Sequence, residues 1–159
     1  DVNSEQSPEP APGITVRDFQ KDDIDPVCKV ITASEDPEHL QIFDFNKNDL
    51  KTSFLQCLFR FSTQKKLVAS FDGRIVGYVS ASYTTPKQAG RIASLDVTQE
   101  GKSRDVEKLL IGAATNEIVK GGIRRIRLTV PVKDTKLTET VRSLGFTEAL
   151  SMYAMVKEF

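Results

Sequence analysis

From Ile14 onward the chain alternates between two kinds of hydrophobic pattern. ITVRDF alternates β-branched with polar residues and predicts a strand, whereas KDDIDPVCKVITAS repeats Ile24, Val27, Cys28 and Ile31 at helical spacing. FDFNKNDLKTSFLQCLFRF places Leu50, Phe54, Cys57, Leu58 and Phe61 on one face after the polar Asn46, Asn48 and Asp49, so a second amphipathic helix is expected there. KLVASFDGRIVGYVSASYTT reads as two strands joined by Asp72-Gly73, a dipeptide that tolerates the positive φ angles of a tight hairpin turn.

RIASLDV predicts a further strand, and SRDVEKLLIGAATNEIV a helix with Val106, Leu109, Leu110, Ala113 and Ala114 on one face. Ser103 is the expected N-cap of that helix and Gly121-Gly122 its stop. IRRIRLTV puts Ile126, Leu128 and Val130 on one face of a strand and Arg125, Arg127 and Thr129 on the other. KDTKLTETVRSLGF predicts a short helix ended by Gly145, and ALSMYAMVKEF a last strand. The order β-α-α-β-β-β-α-β-α-β predicts an α/β domain, a mixed twisted β-sheet flanked by helices. The opening DVNSEQSPEPAPG has three prolines and nothing to bury, so residues 1–13 read as a disordered linker or leader and residues 14–159 as the domain.

A length of 159 residues is one domain's worth of chain, and 39% hydrophobic with 28% charged residues describes an ordinary globular protein. Lysine and arginine number 22 and aspartate and glutamate number 22, which removes the basic footprint of a dedicated nucleic-acid or membrane-surface binder. No run approaches the ~18 apolar residues that span a bilayer. The expectation is a soluble, cytoplasmic protein with no nucleic-acid or membrane partner. The chain opens on Asp1, so a processed organellar form remains an alternative. Cys28 and Cys57, both among apolar residues, read as buried small hydrophobes, and with the single His39 they give no metal-ligand set.

The element order, with LDVTQEGKSRDVEKLLIGAA and the SLGF ending of the short helix, resembles the GNAT superfamily of acetyl-CoA-dependent N-acyltransferases. The likeness runs from Ile14 to Phe159. It implies a cleft between splayed fourth and fifth strands, acetyl-CoA as cosubstrate, and a small-molecule or protein amine as acceptor. In that family a valine ending the fourth strand meets the pantetheine arm through its backbone, and Val97, preceded by Leu95, takes that place. An Arg/Gln-x-x-Gly-x-Gly/Ala loop then wraps the pyrophosphate with free N–H groups at a helix N-terminus. The resemblance therefore sets Lys102, Ser103, Arg104, Asp105 and Val106 at the cofactor.

Three positions depart from the family pattern. Lys102 stands for the first Arg/Gln, and Asp105 and Glu107 stand where small residues belong, leaving Gly101 as the only glycine of the loop. Two readings of the loop follow. Lys102 and Arg104 clamp phosphate with side chains, or the segment is a well-capped helix start with solvated flanking charges. Val141 occupies the position where many family members carry a tyrosine that protonates the leaving thiolate. Tyr153 in the last strand is the substitute acid, with Tyr83 a further aromatic able to reach a cleft. Asp96, with Ser94 two residues away, is the candidate proton relay for the attacking amine, against the alternative of a solvated or capping carboxylate.

Lys120, Arg91 and GGIRRIR form the densest basic cluster, readable as arginines with packed stems or as a hold for an acidic partner or phosphate. Phe43 and Phe45 precede the second helix and would mark a partner or substrate surface if exposed. Two functions stand: an N-acetyltransferase transferring acetyl from acetyl-CoA to an amine, and a catalytically inactive domain of the same fold acting as a partner-binding or structural module.

Overall fold

The computed structural model describes residues 12–34, 62–84 and 89–151. The expected second helix, the last strand beyond Ser151, and with them His39, Phe43, Phe45, Cys57 and Tyr153, lie outside the described residues. So does all of the opening segment except Pro12 and Gly13.

Strand β1 (Ile14–Asp18) is followed by a single 3-10 turn (Lys21–Asp23) and helix α1 (Ile24–Ser34). Arg17 fixes that junction by gripping Asp23 with both guanidinium arms, at 2.6 and 2.8 Å, while the Gln20 N–H donates to the same carboxylate at 2.7 Å. The hairpin expected at Asp72-Gly73 forms between β2 (Thr63–Phe71) and β3 (Arg74–Thr84). Both turn residues have positive φ, 48° and 77°, as a two-residue hairpin turn requires. Strand β4 (Ala89–Val97) completes the antiparallel part, and β5 (Arg125–Leu128) pairs with β4 in parallel. The sheet order is β1-β2-β3-β4-β5, which makes it mixed, as the element order predicted.

Helices cover both faces. Val27 and Ile31 of α1 pack on Val68 and Tyr78. On the other face, helix α3 (Val106–Lys120) buries Val106, Leu110, Ala114 and Ile118 against Val79, Ala81, Ile92 and Val97. Truncating one such fully buried leucine costs about 2–5 kcal/mol, so this side holds most of the core. Helix α3 ends as expected, with Gly121 at its cap and Gly122 at φ 80°. Helix α4 (Thr135–Ser143) is capped by Asp134, whose side chain accepts from the Leu137 N–H at 2.9 Å, and ends at Gly145 with φ 84°.

The start of α3 differs from expectation. Ser103 is not its N-cap. Thr98 instead caps a separate turn, α2 (Gln99–Lys102), accepting from the Gly101 N–H at 3.2 Å, and Ser103 closes that turn. Asp105 then breaks the helical path with φ 57° and ψ 26°, the left-handed region usually left to glycine, before α3 begins at Val106.

Candidate functional site

The parallel pairing of β4 with β5 runs from Ala89–Arg125 to Ile92–Leu128 and stops there. Strand β4 continues to Val97 without it, and a bulge at Ala93 follows the last pair, because Ser94 pairs with Ser80 while Ile92 pairs with Ala81. Strand β5 is paired over its whole length and ends at Leu128, so β4 beyond Ile92 has no parallel neighbour among the described residues. Thr98 binds the far end of β4 to the middle of the sheet, its N–H and its hydroxyl both donating to the Val76 carbonyl at 2.9 and 3.2 Å.

Around this end stand the residues the sequence assigned to a cofactor. Val97 and Val106 are buried in the core, and Leu95 packs against it. Ser103 is exposed and donates its hydroxyl to the Glu100 carbonyl at 2.7 Å. Gly101 serves packing: a Cβ there would lie 2.6 Å from Val97 Cγ1 and 2.8 Å from the Val76 carbonyl oxygen. The single glycine of the loop thus lets α2 lie against the Val76 carbonyl of β3 and the Val97 side chain.

Both cations offered for phosphate are engaged elsewhere. The Arg104 guanidinium lies 3.7 Å from the centre of the Phe71 ring, stacked at the hairpin end of β2. Lys102 Nζ sits 3.7 Å from Glu107 Oε1 and 3.7 Å from Asp134 Oδ2. Lys136 adds a hydrogen bond from its ammonium to the Lys102 carbonyl at 3.2 Å. These contacts draw the first turn of α4 against the α2–α3 joint.

Glu107 corrects the picture of solvated flanking charges. It is 5% exposed. Burial foremost holds its pKa above the ordinary glutamate value, with Asp134 adding to the rise and Lys102 and Lys136 opposing it. Asp105 makes no side-chain capping bond to α3. At this joint Asp105 holds a left-handed conformation that glycine takes more freely, while Lys102, Glu107 and Asp134 set their charges close together.

Asp96 is neither solvated nor a cap. It is 4% exposed, beneath the C-terminal end of α1, and accepts from Ser34 Oγ at 2.9 Å and Ser94 Oγ at 2.5 Å. Tyr78, its neighbour across β3 and β4, is packed in the core under α1. Burial chiefly pushes the Tyr78 hydroxyl above its ordinary pKa, the Asp96 charge adding to the rise and the Ser80 hydroxyl opposing it. The site thus unites Asp96 with Ser94, as the sequence suggested. Ser34, Tyr78, Asp134 and Lys136 were not foreseen, because each joins through packing between distant elements. Only Asp134 carried a local signal, an Asp-Thr start to a short helix.

Val141, at the family's tyrosine position, packs into the core. Tyr83 lies against Gly121 at the C-terminal end of α3. Cys28 is half-buried beside the α1 core, as a small hydrophobe. Among the described residues, no helix is long and apolar enough to cross a membrane.

No family model and no curated protein sequence matches the chain. Solved structures do. The PaiA N-acetyltransferase from Thermoplasma acidophilum, in complex with coenzyme A, superposes with a TM-score of 0.70 at 17% identity over 84% of this chain and 89% of its own. The ribosomal-protein-S18-alanine N-acetyltransferase from Escherichia coli gives 0.68 at 12% identity, covering 86% of this chain and 79% of its own. AAC(6')-Iy, in complex with the bisubstrate analogue CoA-S-monomethyl-acetylneamine, gives 0.64 at 17% identity over 92% of this chain and 99% of its own. With a mixed sheet of five strands among the described residues, the last parallel to the fourth, the chain has the fold of the GNAT acetyltransferases.

Proposed function

We propose that this domain is a non-acetylating member of the fold, a module that binds a protein partner in place of acetyl-CoA. The observation that carries this reading is Glu107, buried in the first turn of α3 with Lys102 clasped between it and Asp134. A pyrophosphate brought to that turn would meet a buried carboxylate and would have to draw Lys102 away from both partners. Uncompensated burial of like charges costs several kcal/mol. Arg104, stacked on Phe71, gives no nearby replacement. The N–H groups of Lys102, Ser103 and Arg104 already donate to carbonyls within the loop, and its side chains do not fit a phosphate. The position of the usual general acid, Val141, offers no proton.

A second reading, an amine N-acetyltransferase, is favoured by one observation: the buried Asp96 carboxylate on β4, beyond its last pair with β5, linked to Ser94 and Ser34. In it Leu95 and Val97 would meet the pantetheine arm, Lys102, Ser103, Arg104, Asp105 and Val106 the pyrophosphate, and Asp96 with Ser94 would relay the proton. Tyr153 would be the acid, and the acceptor a small-molecule or protein amine.

Calorimetric titration with CoA and acetyl-CoA separates the two. The native protein is expected to show no binding up to millimolar ligand, and Asp105→Gly/Glu107→Gly to bind in the micromolar range, a gain of about 4 kcal/mol. Micromolar binding by the native protein would overturn the non-acetylating reading.

A further inference from the structure

On the sheet face away from α3, β4 and β5 carry three arginines that the cleft does not use. Gly90 and Ile92 point toward α3, where a Cβ on Gly90 would meet Ile118 and Ile123, so Arg91 between them points to the opposite face. Register places Arg91 directly beside Arg127, and Arg125 two residues back on β5 shares their side, since Ile126 and Leu128 pack into the core. All three arginines are exposed.

None of them makes an ion pair among the described residues, although most other basic groups on strands and helices do. Lys65 reaches Asp18 and Glu117, Arg17 holds Asp23, Arg74 reaches Glu100, and Lys120 pairs with Glu117. The neutral total of 22 basic and 22 acidic residues makes this local excess a matter of placement. Like charges side by side on neighbouring strands repel. The arrangement costs stability that solvated lysines scattered over the surface would not.

We propose that Arg91, Arg125 and Arg127 form a recognition surface for an extended acidic segment of a protein partner. Along β5 the arginines repeat at about 6.6 Å, and Arg91 stands about 4.8 Å across. Carboxylates at alternate positions of an extended peptide repeat at the same ~6.6 Å, and the planar guanidinium forks match carboxylates two oxygens at a time. Two observations favour a peptide over a nucleic acid. The register neighbour of Arg91 on β3 is Ser82, with Tyr83 turned to the other face, so no described aromatic flanks the trio as a stacking platform. The chain also lacks the net positive charge that draws polyanions without regard to sequence. The surface names the partner chemistry for the module reading, but binding here is independent of the α2–α3 loop.

The test is fluorescence anisotropy with a labelled oligo-glutamate peptide, at low and at physiological salt. The native protein binds, more weakly as salt rises. Arg91→Gln/Arg125→Gln/Arg127→Gln weakens binding at least about tenfold. Lys21→Gln/Lys29→Gln/Lys108→Gln, with the same charge change elsewhere, leaves binding within about twofold. If the triple arginine variant melts below the native protein, the single variants Arg91→Gln and Arg127→Gln carry the test, each about threefold weaker. No binding by the native protein, equal loss in the lysine variant, or displacement of the peptide by a lower concentration of oligo-thymidylate overturns the proposal. Because the probe contains no CoA, binding of CoA by the native protein would end the non-acetylating reading and leave this one standing.

Discussion

Gly101 shows how one residue's role can be mistaken when only its neighbours in sequence are considered. In a phosphate-binding loop the lone glycine would be credited to the ligand, and in a helical turn it would be counted as a cost of about 1 kcal/mol against alanine. Its surroundings decide otherwise, since the nearest atoms to an added methyl are the Val97 side chain and an immovable backbone carbonyl of β3. Gly101→Ala is therefore expected to destabilise by about 1–3 kcal/mol through overpacking, against the helix-propensity expectation. A lower urea midpoint with an unchanged slope would bear this out; a higher midpoint would show that α2 shifts freely. Asp105 is the counterpart, holding a backbone conformation suited to glycine without glycine's freedom. Nothing in its sequence neighbourhood announces that.

Between elements, the joint of α2, α3 and α4 is held by charges whose balance depends on pH. Burial raises the Glu107 pKa, so the folded chain holds that proton more tightly than the unfolded chain does. Its contribution to stability is full below the ordinary glutamate value of about 4.3 and is lost as pH rises through the raised folded value. On lowering pH from about 7 toward 4.5, the native protein should gain stability relative to Glu107→Gln, which has no proton to take up there. Paired denaturation curves across that interval read the gap directly, and a gap that stays constant would mean the carboxylate is solvated after all. Element by element, the sequence was most legible where local chemistry decides. The Asp72-Gly73 hairpin, the apolar stripe of α3, its stop at Gly121 and the alternation along β5 all followed from short-range pattern. The start of α3 was misplaced because Thr98 and Ser103 are equally good caps on paper, and the left-handed step at Asp105 cuts the turn they bracket off from α3. Glu107 looked solvated because a carboxylate in a first helical turn usually is. Asp134 and Lys136, whose charges act on it, come from the start of α4, almost thirty residues further on.

At the scale of the whole molecule, β3 is the member on which everything else rests. It is bonded along its length to β2 and β4 and is covered by α1 on one face and α3 on the other. Amide exchange should therefore be slowest from Gly77 to Ala81, approaching the free energy of global unfolding, and faster in β1. Equal protection of β1 and β3 would show that the sheet opens only as a unit. The same arrangement explains why the fold could be read from a sequence whose cofactor loop departs from the family. The two-faced core around β3 depends on periodicity, which the chain keeps, and the loop depends on a few side chains at one end of it, which the chain has changed.

The arginine face has a kinetic consequence. A molecule whose 22 basic and 22 acidic residues cancel exerts no net long-range pull on an acidic partner. Gathering Arg91, Arg125 and Arg127 on one side still gives the surface a local field that can turn the domain as it approaches. Charge placed in this way sets orientation at encounter more than the frequency of encounter. Added salt, by screening that field, would then slow productive meeting more than it shortens the lifetime of a complex.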